Sequence, residues 1–279
     1  MCCCLRYQRN VLHGIAASTT ISPNSPADDC RRDYAERMFS PVPTVTELSE
    51  SAQRGRRFAP VRERDLEPAL RSIALRLPGA AEGLVLAPEF RGARGVVDLL
   101  AVTRVADKFI ERTELGAPYI TSEADSAVLA RLSPRLTRSA ANVARAVGMT
   151  DRQALTRLRA LCRAGAAEQV GSGYRRRHGF DPIGRSYALE AKVDDWRKGL
   201  SQAMRYASWA DAAGVVLLVE PPNLAAVRTR FRALRIGLAI GDSWIVRPMI
   251  GRPDPGRRLA LSEQLSSDIG ASLRRSDSA

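Results

Sequence analysis

Glu190-Ala191-Lys192 is the tripeptide whose residue types and spacing could do chemistry. In an extended strand the period of two puts the carboxylate and the ammonium on the same face. Asp98 stands in the run Gly95-Val96-Val97-Asp98-Leu99-Leu100, where a charge among apolar neighbours is costly unless something compensates it. A bound cation is one such compensation. If the strands of Asp98 and Glu190 are sheet neighbours, two carboxylates and a lysine converge at one face. Such an assembly suits phosphodiester hydrolysis. Asp98, Glu190 and the Ala191 carbonyl would hold Mg²⁺ or Mn²⁺, and the ion would polarise a phosphoryl oxygen and lower the pKa of a bound water. Lys192 would orient the nucleophile or stabilise developing charge. The plainer alternatives are an Asp98 bonded to backbone amides and an exposed strand-face ion pair between Glu190 and Lys192.

These residues need elements to position them. Leu66, Leu70, Ile73 and Leu77 recur at helical spacing, which predicts a helix over 65–77. Short β-rich runs at 83–90 and 95–103 flank the turn-like Arg91-Gly92-Ala93-Arg94 and predict an antiparallel pair. Asp98 lies in the second. A strand over 186–193 carries Glu190 and Lys192, and a helix follows over 195–212. On that helix Gln202 and Tyr206 are one turn apart on one face, with Lys198 a turn earlier. A strand over 214–219, a basic helix over 223–234 and a strand pair at 236–240 and 244–246 complete the pattern. The order is α-β-β-[insert]-β-α-β-α-β-β.

The insert has its own pattern. Helices are predicted over 122–132, 139–147 and 151–164, with Gly148-Met149-Thr150 as the turn before the third. Glu168-Gln169-Val170, Gly171-Ser172-Gly173 and Tyr174-Arg175-Arg176-Arg177 then read as a hairpin with a basic second limb. From Asp125 to His178 there are eleven Arg against three acids, so this segment carries +8 of the chain's net +13.

Two resemblances follow from these residues. The run Ser139-Ala140-Ala141-Asn142-Val143-Ala144-Arg145-Ala146-Val147-Gly148-Met149-Thr150, the amphipathic helix after it and the Gly171-Ser172-Gly173 tip resemble the winged helix-turn-helix family. That resemblance implies DNA binding, with Arg152, Gln153, Thr156 and Arg157 toward the major groove and Arg175, Arg176 and Arg177 toward phosphates or the minor groove. Asp98, Glu190-Ala191-Lys192 and the Gln202…Tyr206 pair resemble the PD-(D/E)xK nuclease superfamily, in its recombination-exonuclease branch. The implied fold is an α/β, restriction-endonuclease-like core (α-β-β-β-α-β) with an inserted winged-helix domain. Asp98, Glu190, Lys192, Gln202 and Tyr206 would be catalytic, and Lys198 would touch DNA. Val97 stands where many members have Pro, and Glu63, Asp65, Glu67 and Glu89 compete for the family's additional acid.

Composition sets the frame. The chain has 279 residues, 45% hydrophobic and 26% charged, and its 43 Lys+Arg against 30 Asp+Glu favour a polyanionic partner. No apolar run reaches the roughly 20 residues that cross a bilayer, so no membrane association is expected and the compartment read is cytoplasmic. Cys2, Cys3, Cys4, Cys30 and Cys162 have neither disulfide nor zinc spacing. The domain reading is a disordered tail over 1–60, a discontinuous core over 61–120 and 181–250, the insert over 121–180 and a polar tail over 251–279. The function expected is metal-dependent hydrolysis of DNA. A DNA-binding transcriptional regulator on a non-cleaving scaffold is the alternative, RNA processing a third, and homodimerisation stays open. Placing the insert between the two ligand-bearing strands also suggests that DNA binding there alters the alignment of Asp98 with Glu190.

Overall fold

The strand runs Ser186-Tyr187-Ala188-Leu189 and Ala212-Ala213-Gly214-Val215-Val216-Leu217 are apolar on both faces, which is the pattern of strands covered by helices on either side. The computed structural model describes residues 45–47 and 65–276, all within one unit, Met38–Ala279. The strands of its main sheet are β1 (Val45–Glu47), β2 (Leu84–Gly92), β3 (Gly95–Thr103), β6 (Arg185–Lys192), β7 (Ala212–Leu217), β8 (Gly237–Ile240) and β9 (Ser243–Val246); β4 (Ala167–Val170) and β5 (Gly173–Arg176) form a separate pair. The main sheet is mixed and seven-stranded, in the order β1-β2-β3-β6-β7-β8-β9. β1 pairs parallel with β2; β2, β3 and β6 are antiparallel; β6, β7 and β8 are parallel; β9 returns antiparallel.

Alternation along the strands builds two cores. Leu84, Leu86, Leu99, Leu189 and Val216 pack with Leu70 and Ile73 of α1 (Glu67–Leu75). On the other face Val85, Leu100, Val102, Ala188 and Val215 meet Phe109 of α2 (Ala106–Glu114), Leu200 and Ala203 of α6 (Trp196–Tyr206), and Phe231 of α7 (Leu224–Ala233). Leu261, Leu265 and Ile269 of α8 (Pro255–Ser276) complete this core.

Between β3 and β6 lie α3 (Glu123–Ala130), α4 (Ala140–Val147), α5 (Asp151–Arg163) and the β4–β5 pair. Side chains start these helices: Ser122 accepts from Asp125 N–H, Ser139 from Asn142 N–H, and Thr150 and Gln153 form a reciprocal capping box. Gly148, at φ 70°, ends α4. A third core joins Val128, Leu129, Val143, Leu158, Leu161 and Tyr174 to Leu259 of α8. The segment leaves the sheet at Thr103 and returns at Arg185, which are register partners, so it is inserted without breaking the β3–β6 ladder.

Three sequence expectations need correction. The polar tail over 251–279 is, as far as 276, the helix α8; its buried face includes Arg258, Ser262, Glu263 and Ser266, which hid the apolar stripe. The tail predicted over 1–60 lies outside the described residues except for β1, which joins the sheet. The helix expected over 195–212 stops at Tyr206, because Trp209 and Ala210 are buried in the sheet core and Asp211 accepts from the Ser186 amide. Helix α2 was not anticipated.

Arg112 of α2 and Glu263 of α8 form a two-pronged ion pair, Nε to Oε1 and Nη2 to Oε2, both 2.8 Å, with side chains 1% and 2% exposed. Glu263→Ala would leave a buried guanidinium without its counter-charge. It is expected to lower unfolding free energy by about 3–5 kcal/mol in urea titrations; a loosely attached tail would give no change.

Candidate functional site

The period of β6 turns Glu190 and Lys192 toward α6, where the i, i+4 spacing brings Gln202 and Tyr206 to meet them. Glu190 is fully buried, at 0% exposure. Its Oε1 accepts from Lys192 Nζ at 2.8 Å and from Gln202 Nε2 at 2.5 Å, and its Oε2 lies 2.8 Å from the Tyr206 hydroxyl. Lys192 Nζ also donates to the Ala191 carbonyl at 2.7 Å. The ammonium therefore bridges a carboxylate and a carbonyl of its own strand.

Asp98 enters from β3. The β3–β6 ladder runs from Thr103↔Arg185 to Leu99↔Leu189 and stops before the next pair, Asp98 and Glu190. Beyond that point the Asp98 carboxylate takes over, with Oδ2 accepting from the Ala191 amide at 2.8 Å. The β2–β3 ladder skips Glu89 opposite Asp98 as well, and Glu89 adopts a left-handed φ of 48°. Asp98, Glu190, Ala191, Lys192, Gln202 and Tyr206 thus meet in one cluster where the ladder opens. The backbone-bonded alternative also describes part of Asp98's role, while Glu190 and Lys192 are buried and so not an exposed pair.

Burial pushes the Glu190 carboxyl up, the Asp98 charge adds to that, and Lys192 opposes both. Burial, then Glu190, holds the Tyr206 phenol well above its ordinary value, so it stays protonated. Its hydroxyl lies 2.7 Å from the Val96 carbonyl and 2.8 Å from Glu190, two acceptors for one proton.

The donor set fits a hard divalent cation. Two carboxylates, the Ala191 carbonyl and Gln202 Oε1 are all oxygens, and Gln202 Oε1 is buried with no hydrogen-bond partner. Among the described residues no three His, Cys, Asp or Glu side chains are grouped to hold an ion. An ion here would rely on carbonyl oxygen and water beside its carboxylates, which Mg²⁺ tolerates and zinc sites generally do not. Of the candidates for an additional acid, Asp65 is exposed, Glu67 pairs with Arg71 on the surface of α1, Glu89 faces Asp98 across the strand, and Glu63 lies outside the described residues.

The residues expected to read DNA are more mixed. Arg152 and Arg177 are exposed, and Thr156 donates to the Arg152 carbonyl. The Gln153 carbonyl oxygen is committed to the α5 cap, accepting from Thr150 N and Oγ1. Arg157 pairs with Asp125 of α3, Arg175 with Glu168 across the hairpin, and Arg176 with Asp181. These three guanidiniums are already matched by internal acids. Lys198 is exposed in the first turn of α6, its amide capped by Asp195. Arg197, Arg228, Arg230 and Arg232, which no sequence motif singles out, are all exposed and none is ion-paired to a described residue. The three arginines and absent acids of α7 were the available signal.

Tyr206→Phe removes the hydroxyl from the buried Glu190 carboxyl and the half-buried Val96 carbonyl and is expected to cost about 1–3 kcal/mol of stability, measured by denaturant unfolding. A change below a few tenths would mean that the cluster does not depend on that hydroxyl. Among the described residues no helix is long and apolar enough to cross a membrane. Compared with protein-family models, with curated proteins and with solved structures, the chain matches none.

Proposed function

We propose that the chain is a metal-dependent deoxyribonuclease with a restriction-endonuclease-like PD-(D/E)xK core and a winged helix-turn-helix insert that binds DNA. The observation carrying this reading is the meeting of Asp98, Glu190, Lys192, Gln202 and Tyr206 where the β3–β6 ladder opens. Asp98, Glu190 and the Ala191 carbonyl would hold Mg²⁺ or Mn²⁺, and a bound ion would supply Lewis acidity toward a phosphoryl oxygen and an activated water. The protein's own groups do the rest. Gln202 and Tyr206 fix the orientation of the Glu190 carboxylate from α6. Asp98 is held by the Ala191 amide, so the two acids are tied to one backbone segment. The Lys192 ammonium supplies the positive charge for an anionic phosphate in surroundings where water screens it poorly.

The insert supports the DNA reading through its capped helices, its hairpin and the exposed Arg152 and Arg177. It emerges at the Thr103/Arg185 end of the ladder, and five residues of β3 separate Asp98 from that end. At about 3.4 Å per residue this is roughly 17 Å. An effect of bound DNA on the alignment of Asp98 with Glu190 would have to be carried along these strands. DNA held by the insert has to extend along the core to reach the cluster.

One observation favours the regulator alternative: Glu190 is inaccessible and Lys192 closes the space between Glu190 and the Ala191 carbonyl. Incubating plasmid and single-stranded DNA with Mg²⁺ or Mn²⁺ separates the two. Wild type should cleave, while Asp98→Ala and Lys192→Ala, verified as folded by circular dichroism, should lose about 100-fold or more. Tight binding without cleavage by wild type would assign the protein to the regulator class.

A further inference from the structure

A cavity of about 410 Å³ opens between the first turns of α6 and α7. Its walls include Trp196, Arg197, Asn223, Ala226, Val227 and Arg230, and no acidic side chain lines it. It lies at the carboxyl ends of the parallel strands β6 and β7, the edge of an open α/β sheet at which ligands characteristically bind. Trp196 follows Lys192 by four residues, so the cavity adjoins the candidate site along the chain.

Its chemistry is divided. The Arg197 guanidinium lies over the Trp196 ring, 4.6 Å from the centroid, and Arg230 faces the opening from α7. Neither arginine has an ion-pair partner among the described residues, whereas Arg157, Arg175 and Arg176 of the insert all do. A phosphate between Arg197 and Arg230 would meet two guanidiniums that have no ion-pair partner among the described residues. Trp196, Ala226 and Val227 make part of the cavity wall apolar, and a base entering there would lie against this wall and the Arg197 guanidinium that covers the Trp196 ring. The volume is within the range of about 300–1,000 Å³ for small-molecule sites and suits a single nucleotide rather than a duplex.

We infer that this cavity is a nucleotide subsite, binding one phosphate and base of a nucleic-acid strand that lies across the Glu190–Lys192 end of the sheet, independently of the insert. The inference deepens the nuclease reading by adding a strand-binding surface beside its site, and it rests on that reading for the strand's path.

The test uses the full chain and a short fluorescent single-stranded oligonucleotide, titrated by anisotropy with EDTA present so that cleavage cannot interfere. Arg197→Ala/Arg230→Ala alters two exposed side chains and should weaken binding at least tenfold. It should also lower the slope of log affinity against log salt by about 0.7, for the one phosphate no longer neutralised. Unlabelled mononucleotide should compete at concentrations where inorganic phosphate does not. Oligonucleotide affinity within twofold of wild type in the Arg197/Arg230 variant would overturn the subsite, and so would equal competition by inorganic phosphate, which would indicate a bare anion site. If the subsite passes and wild type cleaves no DNA, the subsite stands and the nuclease reading fails. Cleavage with unchanged binding in the Arg197/Arg230 variant gives the reverse.

Discussion

The insert and the sheet are held in one arrangement by the buried pairing of Arg112 with Glu263. The guanidinium spends its remaining donors on the Ala117 and Pro118 carbonyls, and Glu263 also accepts from the Ile120 amide. The chain entering the insert is thus fastened to α8 by backbone groups that would otherwise be unsatisfied. Tyr119 and Phe180 cover the guanidinium, with ring centroids at 4.7 and 4.4 Å. The chain leaving the insert is tied in the same way: Arg258 donates to the Ile183 and Gly184 carbonyls and to Asp211, and Ser262 accepts from the Ile183 amide. Buried charges contribute little net stability when compensated, but they fix geometry because every mispairing leaves a desolvated charge. Helix α8 is therefore the bracket between the two cores, and Leu259 extends it into the insert's own cluster.

The same economy of donors governs the candidate site. Glu190 satisfies its buried carboxylate with partners from β6 and α6, and Asp98 reaches across to the amide that the ended ladder leaves at Ala191. Nothing in this cluster is held by loops. Strand and helix backbones fix every member, which is what a site requiring tight positioning needs. The Gln202 Oε1 is the exception, buried without a hydrogen-bond partner.

Usable surface charge follows pairing rather than abundance. Net positive charge is densest along the insert, yet several of its arginines brace helices and hairpin against each other. The arginines of α7 pair with no acid among the described residues. An arginine neutralised at 2.8 Å by an internal carboxylate contributes less to long-range attraction of a polyanion than an unpaired one.

Local pattern was enough to determine much of this. Apolar periodicity placed α1, the strands of the core and the three capped helices of the insert, because each depends on side chains a few positions apart. The same logic put Glu190 with Lys192 and Gln202 with Tyr206. Their meeting with Asp98 is a cross-strand relation over 93 residues between Asp98 and Ala191, and only the folded sheet decided it. Tertiary structure alone also decided α8, since half of its buried face is polar and three of those residues, Arg258, Ser262 and Glu263, find their partners only when Asp211, Ile183 and Arg112 are brought to them. It likewise separated the paired arginines from the unpaired ones, because composition counts charges while an ion pair depends on which acid the fold brings within reach.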